Sequence, residues 1–141
     1  AGDVIVKGSD LKAVNIDPKI IPNCIDELPV IAVAMLYAEG TSEIAGAEEL
    51  RHKETDRIMA MSKMLKAVGA DFEEKEDGLI IHGNPDFSFK SAKFESFHDH
   101  RIAMASAVLS LKAQNECIIK DAESAAVSYP SFWEDLAKVS M

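Results

Sequence analysis

The feature that most constrains this chain is a repeat of itself. Displaced by 75 residues, Ile31–Glu49 aligns with Ser106–Ser124, with identities at Ala32/Ala107, Val33/Val108, Leu36/Leu111, Ala38/Ala113, Ile44/Ile119, Ala47/Ala122 and Glu48/Glu123. Both copies read as an apolar helix followed by a short strand. The fold must therefore use one supersecondary unit at least twice. The same displacement sets Asp26 opposite Arg101 and puts the two side chains at one corner of two related units.

Punctuation fills in the rest. Asp3 to Lys7 is rich in β-formers and closed by Gly8, and Leu11 to Ile16 is a second extended stretch, ended by Asp17-Pro18. Asp26 is placed to cap a helix that carries Pro29 in its first turn and runs to about Ala38. Thr41 to Ala45 reads as a strand. A helix from about His52 to Val68 stops at Gly69, and Asp71–Lys75 with Leu79–His82 forms a hairpin turned at Glu76-Asp77-Gly78. Beyond Gly83 and Pro85 come a strand near Ala92–Glu95, a helix from Arg101 to Lys112, a strand at Cys117–Lys120 and a short helix from Pro130 to Lys138. The expected class is α/β, built from βαβαββ units: one over 11–82 and an incomplete second over 91–141. A strand starting so near a first residue that is not Met, and a second unit without its hairpin, are expected of a piece of a longer chain.

At 141 residues and 48% hydrophobic, the chain has the size and composition of one soluble domain with a true core. Its net charge of −9 argues against a nucleic-acid partner, since phosphate backbones demand a basic footprint. The longest apolar run, Leu28 to Ala38, is 11 residues and too short to cross a bilayer. No secretory signal is legible. Cys24 and Cys117 lack metal or redox spacing and read as free thiols of a cytoplasmic protein.

Against this acidic background the arginines are gathered. All three, Arg51, Arg57 and Arg101, lie in Glu-Leu-Arg-His-Lys-Glu-Thr-Asp-Arg (49–57) and His-Asp-His-Arg (98–101), with His52, His98 and His100, whereas the 12 lysines are scattered. Guanidinium forks match carboxylate and phosphate, so the pattern suits a small anion, and it also suits surface ion pairs. The apolar stripe Ile58, Met61, Leu65, Val68 projects towards Glu54, with Arg57 at its shoulder, at a helix start where free N–H groups favour anions. An exposed Glu54–Arg57 pair would satisfy the same spacing. Asp99 is a second candidate cap. Arg101 in the first turn behind it opposes the helix dipole, a cost that a nearby anion relieves.

Five segments carry a resemblance. Glu-Leu-Arg-His-Lys-Glu-Thr-Asp-Arg-Ile (49–58) resembles the central motif of the 5-enolpyruvylshikimate-3-phosphate synthases, and Asp-His-Arg-Ile-Ala-Met (99–104) resembles that family's second arginine motif. Ser-Tyr-Pro-Ser-Phe (128–132), Lys-Gly-Ser-Asp-Leu-Lys (7–12) and Ile-Pro-Asn-Cys-Ile-Asp-Glu-Leu-Pro (21–29) match in kind and order. The resemblance covers essentially the whole chain, but only about a third of a family member, within its C-terminal domain. It implies the family's inside-out α/β barrel and transfer of enolpyruvyl from phosphoenolpyruvate to the 5-hydroxyl of shikimate 3-phosphate. It implies no cofactor and no metal, and an N-terminal domain of the same parent chain as partner. By motif, Glu54 is similar to the residue that handles the C3 proton and Asp26 to the carboxylate beside the attacking hydroxyl. Lys53 matches a lysine at that hydroxyl, Arg57 and Arg101 the arginines that clamp the phosphoenolpyruvate carboxylate, and Arg51 and His100 supporting residues. Val127 stands where many members have a phosphate-binding lysine. Neighbouring alternatives are the UDP-N-acetylglucosamine enolpyruvyl transferases and a non-catalytic anion-binding module.

Overall fold

In the computed structural model, residues 2–140 are described. Residues 11–16 run extended and parallel to the strand β1 (Gly40–Ile44), joined through bridges Lys12↔Glu39 and Asn15↔Glu43. The connection is helical. A 3-10 turn at Pro18–Ile20, capped by the Asp17 carboxylate on the Lys19 N–H at 2.9 Å, leads into α1 (Ile21–Cys24) and α2 (Leu28–Leu36). After β1 come a 3-10 turn (Glu48–His52), α3 (Arg57–Ala67) and the strands β2 (Phe72–Glu74) and β3 (Leu79–Gly83). Then follow β4 (Lys93–Glu95), α4 (His100–Ser110), β5 (Ile118–Lys120), a 3-10 turn (Ala122–Val127) and α5 (Phe132–Val139).

The class is α/β. β3 lies between β1 and β2 and is antiparallel to both, with Gly40 opposite Gly83 and Phe72 opposite Ile81. β4 and β5 pair in parallel, with α4 as the crossover, just as 11–16 and β1 pair across α2. Parallel pairs cannot be joined by a tight turn, so each helix is the required connection. Between the layers sit Leu36, Ile44, Leu50, Ile58, Leu65, Leu79, Ile81, Phe94 and Ile102, none more than 1% exposed. Each such side chain contributes about 1.5–3 kcal/mol of transfer free energy.

Local chemistry explains the boundaries. Gly69, at φ +76°, ends α3 in the left-handed geometry that a helix C-terminus favours. Gly78 serves close approach, since a Cβ there would lie 1.8 Å from the Ile44 carbonyl oxygen. No helix among the described residues is long and apolar enough to cross a membrane.

Three expectations are corrected. Asp3–Lys7 forms no strand: Val4, Ile5 and Val6 are 84–87% exposed, because β-propensity is realised only against a partner strand. The helix expected from His52 starts at Arg57, since the Asp56 carboxylate accepts from the Met59 N–H at 2.9 Å and caps it there. Asp26 does not cap α2. Glu27 holds that position, without a side-chain cap, and Asp26 turns its carboxylate elsewhere.

Candidate active site

The site grows from two helix starts. α3 begins with Arg57 and α4 begins one residue behind Asp99, whose carboxylate caps it through the Arg101 N–H at 2.8 Å. Asp99 is delivered by an unusual turn: both Phe97 (φ 56°) and His98 (φ 57°) are left-handed, a geometry that costs non-glycine residues about 1–2 kcal/mol each. The turn aims Asp99 inward, where it is 0% exposed.

Arg57 meets it there. Its side chain is 1% exposed, with Nε donating to Asp99 Oδ2 at 2.7 Å, Nη1 to Asp26 Oδ1 at 2.7 Å and Nη2 to Glu54 Oε2 at 2.8 Å. One sealed guanidinium thus collects carboxylates from the α1–α2 connection, the loop before α3 and the cap of α4. A lone buried charge would be prohibitive, and this one is compensated on three sides. Although burial opposes its charge, these bonds hold Arg57 above the usual arginine range, and the hydrogen bond from Arg57 holds Asp26 below the usual carboxylate range. The charges of Arg57, Arg101 and Lys53 add to the effect on Asp26.

Arg101 is looser. Its Nη2 lies 3.6 Å from Asp26 Oδ2 and its Nη1 3.4 Å from Glu27 Oε1, while 29% of the side chain is exposed. Its buried Nε has no acceptor among the described residues. Beside it opens a cleft of about 260 Å³, bounded by Asp26, Glu27 and Arg101 and floored by Val30, Met104, Val108 and Phe132. Of the two cations, Arg101 is the one that lines the cleft.

The structure therefore brings Asp26, Glu54, Arg57 and Arg101 together. Lys53 is close enough to act on Asp26 by its charge, while its Nζ pairs with Glu49 at 2.8 Å. His100 is the half-buried first residue of α4. Arg51 points away, to the β2–β3 hairpin, and Val127 is 78% exposed and offers no charge. The sequence marked Asp99 as a cap and missed it as the anchor of Arg57. Its place at the head of the 99–104 motif marked it as notable without showing that Arg57, 42 residues away, would claim it. Glu27 lay within the 21–29 segment but was not singled out as a partner of Arg101.

Fold and site together define a class: an α/β domain whose helix starts converge on paired arginines and carboxylates. The family model described as EPSP synthase (3-phosphoshikimate 1-carboxyvinyltransferase) matches residues 2–136, and the chain belongs to that family. It is 51% identical over 140 residues to a 3-phosphoshikimate 1-carboxyvinyltransferase of Salinibacter ruber, covering 99% of this chain and 32% of the relative. It is 49% identical to the enzyme of the same name from Aquifex aeolicus, covering 97% of this chain and 32% of that one. A solved EPSP synthase from Acinetobacter baumannii superposes with a TM-score of 0.85 at 40% identity, over 93% of this chain and 30% of that structure. The chain thus spans about a third of the length of the curated relatives it matches.

Proposed function

We propose that this chain is part of the C-terminal domain of a cytoplasmic 3-phosphoshikimate 1-carboxyvinyltransferase and forms one wall of its active site. The substrates in this reading are phosphoenolpyruvate and shikimate 3-phosphate, and the partner is the N-terminal domain of the same parent chain. The one-third coverage of the relatives supports a larger parent. So do the outward apolar residues of α2, Val30 and Ala34, and the unpaired Val4–Val6, which suit packing against further protein. The free thiols Cys24 and Cys117 are in keeping with a reducing compartment.

In the first step the 5-hydroxyl oxygen of shikimate 3-phosphate bonds to C2 of phosphoenolpyruvate, Asp26 takes the hydroxyl proton and Glu54 gives a proton to C3. In the second, the C2–O bond to phosphate breaks, the departing phosphate takes up the proton held by Asp26, and Glu54 recovers a proton from C3, which restores the enol double bond and both carboxyl groups. Arg101 meets the phosphoenolpyruvate carboxylate, and Arg57 joins it through Nη2 once Glu54 turns to the substrate. Lys53 steadies the attacking hydroxyl. A closing second domain would exclude water and strengthen each of these interactions.

The observation that carries this reading is that Asp26 and Glu54 hang on two nitrogens of one guanidinium, at 2.7 and 2.8 Å. The shared guanidinium keeps the two carboxylates side by side, which supports reading them as one acid–base pair. In the two-domain enzyme, Glu54→Gln and Asp26→Asn are each expected to lower kcat by about 10² or more, the usual scale for acid–base groups. Near-normal turnover in both variants would overturn the assignment. The 141-residue chain alone is expected to release no phosphate from the two substrates.

A further inference from the structure

Arg51 lies outside the cleft, yet it is among the most heavily bonded side chains of the fold. Its Nε donates to the Glu76 carbonyl at 2.7 Å, its Nη2 to the Lys75 carbonyl at 2.7 Å, and its Nη1 to Asp56 Oδ2 at 2.8 Å. Two main-chain oxygens therefore fix the plane of the guanidinium, and that plane dictates where Asp56 must sit. The oxygens themselves are firmly held. The hairpin turn is tied down by Asp77, which accepts from the Gly46 N–H at 2.8 Å through its side chain and from the Ala47 N–H at 2.8 Å through its carbonyl. Gly78 lies too close to the Ile44 carbonyl for even a methyl group between them.

Asp56 transmits the constraint. While Oδ2 accepts from Arg51, Oδ1 accepts from the Met59 N–H and starts α3, whose first residue is Arg57. Between Arg51 and Asp56 lie only His52, Lys53, Glu54 and Thr55. The ion pair closes this loop at its base, and the loop carries Lys53 and Glu54 at its crown.

We infer that Arg51 and Asp56 form a clasp that positions the 52–55 loop, and with it the Glu54 carboxylate, for proton transfer at C3. This rests on the reading of Glu54 as proton donor given above. Arg51 faces the hairpin and Asp56 the start of α3, away from the cleft, so both act as positioning residues. A planar fork with two carbonyls and, at 3.4 Å, Glu74 Oε1 on the hairpin side and Asp56 on the other is something a lysine cannot reproduce, so Arg51→Lys keeps the charge and loses the clasp. Asp56→Asn keeps an oxygen for the cap and loses the ion pair.

The test is made in the two-domain enzyme. Each variant is expected to lower kcat about ten- to a hundredfold, the effect of displacing a reacting group by about 1 Å, while KM for phosphoenolpyruvate stays within about twofold because Arg101 and the Asp99-anchored Arg57 lie outside the loop. In a Glu54→Gln background the same two substitutions are expected to cost severalfold less than in the parent, since Glu54 is gone and only Lys53 is left on the loop to be displaced. Losses as large in that background as in the parent, or a lowered melting temperature with kcat unchanged, would overturn the inference. Hydrogen exchange over residues 52–55, expected to quicken in both variants, reads the clasp without reference to activity; unchanged exchange also overturns it. A near-normal Glu54→Gln enzyme would instead sink the proton-donor reading and the catalytic half of this inference, leaving the exchange result to decide the clasp.

Discussion

Arg57 and Asp99 are joined at 2.7 Å from the first turn of one helix to the cap of another, and water reaches neither side chain to any extent. The pair links α3 to α4 and sets the floor on which Asp26 and Glu54 are arranged. Asp99→Ala would strand the guanidinium and uncap α4 together. A loss of about 3–5 kcal/mol is expected, the scale for removing one partner of a buried ion pair. Asp99→Asn, which keeps an oxygen for the Arg101 N–H, is expected to lose less. Urea unfolding midpoints would check both, and equal losses would mean that the cap contributes nothing.

The two arginines of the site should separate under the same substitution. Arg57→Lys cannot serve three carboxylates on three sides, so its main expected effect is a fall in stability. Arg101→Lys removes only long contacts at 3.4 and 3.6 Å and should leave stability nearly intact. Its expected effect is a raised KM for phosphoenolpyruvate in the two-domain enzyme, with a smaller effect on shikimate 3-phosphate. Thermal melts paired with steady-state kinetics would show whether the two roles divide in this way.

Acid should weaken the cluster through Asp26. Its carboxyl is held below the ordinary value of 3.8, first by the hydrogen bond from Arg57. A group depressed on folding contributes its full stability above the unfolded value and loses it as pH falls through the folded one. The stability gap between the parent and Asp26→Asn is therefore expected to be constant near neutrality and to close as pH falls below the ordinary value of 3.8. Urea titrations along that range would measure it. A gap that persists at the acid end would mean that Asp26 acts by shape rather than charge.

Tyr37 offers a test away from the site. Its ring packs edge-on to Phe87 at 6.0 Å, and its buried hydroxyl has no hydrogen-bond partner among the described residues. Burial pushes its ionisation up to about 12. An unsatisfied buried hydroxyl is a cost, so Tyr37→Phe is expected to raise stability by about 1 kcal/mol, or at least not to lower it. Alkaline stability should also respond: the parent loses the contribution of neutral Tyr37 as pH climbs from about 10 towards 12, and the variant does not. Denaturation at several alkaline pH values would show the difference.

Much of this architecture was legible because its signals are local. The Glu76-Asp77-Gly78 turn, the stop at Gly69, Pro29 in the first turn of α2 and the Asp99 cap need only neighbouring residues to specify them. What escaped depends on residues distant in sequence. The periodicity of Ile58, Met61 and Leu65 extends smoothly back to Glu54. Nothing in it reveals that Arg51 reaches the hairpin and draws Asp56 into the cap, so that the helix starts at Arg57 rather than near His52. Asp26 has the composition of a cap whether or not a guanidinium claims it. Asp3–Lys7 has strand propensity whether or not a strand lies alongside. The site residues stood out by type and clustering, and the division of labour between Arg57 and Arg101 emerged only from their burial.

The strand pairing also orders events in time. β2 and β3 join through a short turn, and hairpins of this kind close in about 1–10 μs. The parallel pairs, 11–16 with β1 and β4 with β5, must wait for an intervening helix to dock, and such long closures are slow. The carbonyls of Lys75 and Glu76 that receive Arg51 can thus exist early. The carboxylates around Arg57 come from 31, 3 and 42 residues away and meet only when both crossovers are complete. Substitutions at Gly78 should accordingly slow refolding, whereas those at Asp99 should chiefly hasten unfolding. The scaffold of this site forms first, and its charges are the last part of the molecule to close.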